Sequence, residues 1–179
     1  MGKRSNFTRN ARDFYPTPIK AVEPLIDHLP YEDFTYIEPC AGDGRLVNHI
    51  SELTDGSGLC VYKSDIEPQA DDVEQGDALR TTVSGGFTDF CITNPPWNTD
   101  FLHPFLEHYA VQMPTWVLNK ADWMHTKKSA EYMPFCKKVV SIGRVKWIEG
   151  SESTSLDNSC WYLFDYNHEG PTEFYGRLL

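Results

Sequence analysis

Residues 90–98 read Phe-Cys-Ile-Thr-Asn-Pro-Pro-Trp-Asn. An apolar run stops at Asn94, and two prolines and a tryptophan follow. Proline lacks a backbone donor and fixes φ, so Pro95 and Pro96 end a strand in a stiff turn. Such a turn displays Asn94 and Trp97. It suits one chemical problem. The exocyclic amine of adenine is a poor nucleophile, because its lone pair is delocalised into the ring. Two acceptors aimed at its two N–H groups favour a pyramidal nitrogen and localise that pair. The Asn94 side-chain oxygen supplies one acceptor. The Pro95 carbonyl supplies the other, pre-aimed because its own φ is locked and the following proline biases its ψ to the extended region. This is preorganised electrostatic stabilisation. Trp97 offers a flat face worth about 1–3 kcal/mol per stacked base. A base inside a duplex would have to flip out to reach it.

Upstream, Ile-Glu-Pro-Cys-Ala-Gly-Asp-Gly (37–44) carries a second set of chemical groups. Arg45, Leu46 and Val47 follow Gly44, so the third glycine of a dinucleotide fingerprint is missing. No Gly-Lys-Ser/Thr follows, so this is not a phosphate loop. Glu38 and Asp43 flank Gly42 and Gly44 and would repel a pyrophosphate. They accommodate a ligand bearing positive charge. S-adenosylmethionine carries a sulfonium and an ammonium, so the electrostatics favour it. The glycines let the backbone approach it closely. Asp65 lies 21 residues beyond Gly44 at the end of a predicted strand. A carboxylate there can accept from both ribose hydroxyls. Asp77, in Gly-Asp-Ala-Leu (76–79), can accept from the cofactor's adenine amine.

These groups need a scaffold that gathers several loop tips. Ile19, Val22, Leu25, Ile26 and Leu29 recur at helical spacing, so 16–30 is a predicted helix despite Pro24. Segment 34–39 is a short strand, and 42–53 an amphipathic helix. Segment 58–66 is a second strand, 71–79 holds a short third, and 87–94 is a fourth. A helix over 101–113 leads to a fifth strand at 115–120. A helix is predicted over 121–135, then strands at 137–143, 145–150 and 158–166. Strands alternate with helices to about residue 140, and paired strands follow. The pattern predicts an α/β fold: a Rossmann-like, doubly wound, mostly parallel seven-stranded sheet with a C-terminal antiparallel hairpin. Such sheets bind ligands beyond the carboxyl ends of their strands. The turns at Glu38–Gly44, Asp65, Asp77 and Asn94–Trp97 all fall there. One catalytic domain over 13–179, preceded by a flexible basic arm at 1–12, accounts for the length.

At this point the chain resembles the amino-group DNA methyltransferases, specifically the small phage-type adenine-N6 kind. Asp-Phe-Tyr-Pro-Thr-Pro (13–18) is similar to that family's N-terminal element. The resemblance implies that Tyr15, Thr17 and Pro18 line the cofactor site. Residues 38–44 resemble its first cofactor motif, assigning Glu38, Gly42 and Gly44. Asp65 matches the second, and Asp77 with Ala78 the third. Residues 94–97 resemble its catalytic motif, assigning Asn94, Pro95, Pro96 and Trp97. Segment 143–164 is similar to the C-terminal strand pair of phage members. The implied reaction is methyl transfer from S-adenosylmethionine to adenine N6 in DNA.

Trp97 stands where the family usually has Tyr or Phe. Internal RNA adenine methyltransferases carry Asp-Pro-Pro-Trp, so RNA stays open as substrate. Protein glutamine-N5 methylation poses the same chemical problem. A non-catalytic methyltransferase-fold partner or decoy is the reading from another class. No stretch between the elements is long enough for a separate target-recognition domain. The net charge is −10, yet it is unevenly spread: +4 over 1–20, −12 over 21–90 and +5 over 119–147. Arg4, Arg9 and Arg12 in the arm, and Lys127, Lys128, Lys137 and Lys138, are the candidate phosphate contacts. Five scattered cysteines without ligand spacing predict reduced thiols and no metal site. The N-terminus lacks an apolar leader and no run is long enough to span a membrane, so a cytoplasmic protein is expected.

Overall fold

The computed structural model describes residues 15–82, 88–148 and 154–177. The arm residues Arg4, Arg9 and Arg12 lie outside them. Among the described residues, eight strands form one sheet: β1 (Phe34–Glu38), β2 (Gly58–Asp65), β3 (Glu74–Gln75), β4 (Phe90–Thr93), β5 (Thr115–Lys120), β6 (Cys136–Arg144), β7 (Asn158–Phe164) and β8 (Glu173–Tyr175). Their order across the sheet is β3-β2-β1-β4-β5-β7-β6-β8. The first five are parallel to one another. β7 inserts between β5 and β6, antiparallel to both. β6 therefore runs in the same direction as β5.

The helices α1 (Ile19–Ile26), α2 (Arg45–Leu53) and α3 (Thr99–Tyr109) cover the two faces. Side chains alternate along a strand, so each central strand feeds two cores. Ile92, Trp116, Leu118, Trp161 and Leu163 join Ala21, Val22, Leu25 and Ile50 on the α1/α2 side. Cys91, Val117, Tyr162 and Phe164 join Leu102, Phe105, Leu106 and Tyr109 on the α3 side. This is the Rossmann-like, doubly wound and mostly parallel α/β arrangement that the alternation of elements predicts. Trp161 ties the two ends of the chain together. Its fully buried indole N–H donates to the Ala21 carbonyl at 2.7 Å.

Three local expectations give way. The sheet has eight strands, not seven. β8 pairs parallel with β6 through Lys138–Val140, and all three of its residues are exposed, so no apolar alternation marks it. Segment 121–135 is not a helix but three 3₁₀ turns, Ala121–His125, Lys127–Glu131 and Met133–Phe135. Thr126 is extended there, its hydroxyl donating to the Trp123 carbonyl and accepting from the Ser129 N–H. Local side-chain bonds of this kind compete with the helix ladder. The expected strand at 145–150 is also absent in its described part. β6 bulges near Gly143 (φ 77°) and ends at Arg144, beyond which Val145–Ile148 is irregular.

Candidate functional site

Because β1, β2, β4, β5 and β6 run the same way, Glu38, Asp65, Asn94, Lys120 and Arg144 all lie at one edge of the sheet. Strand order reverses between β1 and β4, and that is where loops fan apart to leave a crevice. The glycine loop after β1 borders it on one side. The Asn94–Trp97 turn after β4 borders it on the other.

The glycine loop is pinned to the end of β2. Ala41 N–H donates to the Ser64 carbonyl and Gly42 N–H to the Asp65 carboxylate, both at 2.8 Å. Gly42 and Gly44 have φ of 55° and 74°, the left-handed region where a side chain is strained. Gly44 then takes the N-cap position of α2. Asp65 accepts a second N–H, from Glu67, at 2.9 Å. Asp77 accepts from Leu79 N–H at 3.0 Å and pairs with Arg80 at 3.4 Å. Asp65 thus braces both its own turn and the glycine loop, and Asp77 braces its own turn. Each oxygen keeps a second lone pair for a ligand. Asp43 pairs with Arg45 at 3.3 Å.

Glu38 is a buried carboxyl, 1% exposed. The Thr93 hydroxyl donates to its Oε1 at 2.9 Å, while Oε2 has no partner among the described residues. Burial raises its pKa well above the ordinary range. The Thr93 hydroxyl and the Asn94 backbone N–H pull it back, and the charges of Asp65 and Asp43 push it further up. The last residue of β4 and the first residue beyond it therefore hold this acid from one side.

Asn94 is half-buried, and its amide is held at both ends. Nδ2 donates to the Thr17 hydroxyl at 3.1 Å and the Tyr15 carbonyl at 3.5 Å. The indole N–H of Trp97 donates to Oδ1 at 3.0 Å. An indole N–H only donates and a carbonyl only accepts, so the amide has one orientation. Oδ1 retains a free lone pair beside the indole. Pro95 is buried and Pro96 half-buried, and Asn98 caps α3 by accepting from Phe101 N–H at 2.9 Å. The turn is fixed by a strand behind it and a capped helix ahead.

Trp97 does not stand alone. Trp147, from the irregular segment after β6, packs edge-on against it at 5.2 Å between centroids. Its own indole N–H is buried without a partner among the described residues. Sequence reasoning missed Trp147, because only the bend after β6 brings it here. It also missed Thr93, although a hydroxyl one residue before Asn94 was a visible signal.

The structure brings Tyr15, Thr17, Asn94 and Trp97 into one hydrogen-bonded group. Pro18, which follows Thr17, ends the segment as the residue before α1. It also gathers Glu38, Gly42, Gly44 and Asp65 around the loop after β1, with Asp77 and buried Ala78 on the next. The lysines divide. Lys128 donates to the Thr99 hydroxyl at 3.2 Å, so Lys127 and Lys128 lie beside the start of α3 on the site's edge. Lys137 and Lys138 begin β6 and lie at the opposite edge, with Lys138 over the Tyr175 ring at 5.8 Å. Among the described residues there is no group of His, Cys, Asp and Glu placed to hold a metal ion, and all five cysteines are free thiols. No helix among them is long and apolar enough to cross a membrane.

No protein-family profile and no curated protein matches the chain. Solved structures do. A structure of the type I R-M system superposes with TM-score 0.58 at 15% identity, covering 96% of this chain and 46% of that one. A dimethyladenosine transferase from Plasmodium falciparum gives 0.53 at 15%, covering 84% and 62%. A putative class I S-adenosylmethionine-dependent methyltransferase from Listeria monocytogenes gives 0.54 at 11%, covering 89% and 62%. The chain thus spans between 46% and 62% of the length of these three. At such identities the likeness is one of fold, and the fold is that of the class I methyltransferases.

Proposed function

We propose that this chain is an S-adenosylmethionine-dependent methyltransferase that modifies the N6 amine of adenine in DNA, with the base extruded into the crevice. The observation that carries the reading is the Asn94 amide. It lies at the switch point of the sheet, locked so that its oxygen keeps an open lone pair. That oxygen can accept from one N–H of an adenine amine, and the rigid Pro95-Pro96 turn offers a carbonyl for the other.

The residues present fit the cofactor. Glu38 Oε2 is a buried acceptor with no partner among the described residues, at the root of a glycine loop whose backbone conformation leaves room for close approach. An ammonium group is the natural partner for such an oxygen, because an unpaired buried acceptor is costly. Asp65 and Asp77 remain able to accept from ribose hydroxyls and an adenine amine. Held there, S-adenosylmethionine would supply an electrophilic sulfonium methyl for the amine's lone pair to attack, with the neutral thioether as leaving group and the amine's proton lost to water. The protein's part is to localise that lone pair through Asn94 and Pro95. Trp97 and Trp147 wall the site against water.

Adenine as the substrate base agrees with the likeness to a dimethyladenosine transferase. DNA rests on the resemblance of residues 13–18, 38–44 and 94–97 to phage-type adenine methyltransferases. The test is direct. The protein is incubated with methyl-labelled cofactor and mixed DNA or RNA libraries, the nucleic acid is digested to nucleosides, and the labelled one is identified. Label in N6-methyldeoxyadenosine, lost in Asn94→Ala, is expected. Cofactor binding without transfer to any DNA would overturn the reading, and label in RNA alone would move it to RNA.

A further inference from the structure

A cleft of about 510 Å³ opens between the start of α1 and the end of β6. Four cations line it, Lys20, Arg144, Lys146 and Arg177, against the single acid Glu23. Glu23 is already paired with Lys20 at 2.9 Å. Among the described residues, none of the ion pairs formed involves Arg144, Lys146 or Arg177. Three exposed cations without an ion-pair partner among the described residues thus gather on one cleft of a chain whose net charge is −10, a local positive patch that favours an anionic ligand. The fold also makes room for one of them. A Cβ placed on Gly143, where φ is 77°, would come within 2.9 Å of the Arg177 guanidinium. The bulge in β6 thus leaves space for that side chain to lie across the strand.

The cleft adjoins the site through two covalent neighbours. Pro18 lines it, and the preceding Thr17 accepts from the Asn94 amide. Lys146 lines it, and the following Trp147 packs on Trp97. The cleft and the Asn94–Trp97 turn are thus joined at two points, one residue apart along the chain at each.

We infer that this cleft binds the phosphate backbone of the nucleic-acid strand flanking the extruded base, through Arg144, Lys146 and Arg177. The inference rests on the proposed reading that the substrate is a nucleic acid. Guanidinium forks match phosphate oxygens bidentately, and a lysine adds a point charge. Contacts of this type fix register on the strand without reading sequence. Lys137 and Lys138, roughly 20 Å away along β6 at about 3.3 Å per residue, carry the competing assignment.

The test measures affinity for a fluorescein-labelled mixed-sequence DNA duplex by anisotropy over a series of salt concentrations, using the full chain. Each phosphate contact contributes about −0.9 to the slope of log K against log salt. The triple variant Arg144→Gln/Lys146→Gln/Arg177→Gln is expected to make that slope shallower by roughly 2.7. The charge-retaining pair Arg144→Lys/Arg177→Lys should hold the slope near wild type, which separates lost contacts from a misfolded protein. An unchanged slope in the triple variant overturns the inference. So does a slope lost instead in Lys137→Gln/Lys138→Gln, absence of duplex binding by the wild type, or tighter binding of polyglutamate than of DNA at this cleft. Methyl transfer to DNA with an unchanged slope strikes the cleft alone. A shallower slope in the triple variant without any methyl transfer strikes the proposed reaction and leaves the cleft standing.

Discussion

The substitution that probes the site most sharply is Trp97→Phe. It keeps an aromatic plate and most of the packing against Trp147, and it removes one atom group, the indole N–H that donates to Asn94 Oδ1 at 3.0 Å. An amide torsion of this kind is broad and roughly two-fold, so its orientation is set by its partners. The Thr17 hydroxyl can both donate and accept, and so tolerates either orientation. The Tyr15 carbonyl, at 3.5 Å, is a weak discriminator. The indole is the decisive one, since a flipped amide would set an NH2 against an N–H. A partly buried neutral hydrogen bond is worth about 0.5–1.5 kcal/mol. At 1.36 kcal/mol per factor of ten, kcat should fall roughly two- to thirteen-fold. On the proposed reading the Trp97–Asn94 bond faces the target base, so cofactor affinity should not change. Single-turnover methyl transfer at saturating cofactor, paired with calorimetric titration of the cofactor, measures both. A wild-type rate in Trp97→Phe, in a reaction that Asn94→Ala abolishes, would refute the view that the indole holds the amide.

Other outcomes follow from the same geometry. Thr17→Val removes the hydroxyl at the other end of the amide, so kcat should drop a few-fold, and combining it with Trp97→Phe should depart from additivity by about 0.5 kcal/mol or more in a double-mutant cycle. Gly44→Ala leaves its nearest neighbour, Val73 Cγ2, at 3.8 Å, so the cost is backbone strain rather than a clash. About 1–2 kcal/mol of strain should lower the melting temperature by roughly 2–8 °C in a domain of this size. Glu38 keeps its proton in the fold after the unfolded chain has lost it, so its contribution to stability falls as pH rises above the usual glutamate value of 4.5. Glu38→Gln cannot titrate. Its melting temperature relative to wild type should therefore be higher at pH 8 than at pH 5, with weaker cofactor binding, and a pH-independent difference would refute the assignment.

What could be read from the chain beforehand was what depends on local backbone chemistry. The glycine loop, the proline turn and the acids at strand ends all announce themselves within a few residues. The sheet follows from apolar runs such as Thr115–Lys120, five of whose six residues are buried. What could not be read depends on distant closure. The bonds from Asn94 to Tyr15 and Thr17 span 79 and 77 residues, and Trp147 meets Trp97 across 50. Their existence follows from α1 and β6 packing on one edge, which no window of sequence contains. Arg177 lies in an acidic C-terminal stretch, so charge blocks along the chain hide its place among the cations of the cleft. Segment 121–135 has the composition of a helix yet breaks into turns, because Thr126 and Ser129 bind backbone in preference to letting a helix continue.

The late insertion of β7 has a consequence for biosynthesis. β5 is complete by residue 120, yet the strand that pairs along its outer side ends only at residue 164. At about 5–20 residues per second, the ribosome leaves that apolar margin unpaired for seconds. Bare margins of this kind recruit other chains. A nascent chain stopped before residue 158 is expected to clump with its neighbours, because the strand that seals the sheet's middle has not yet been translated.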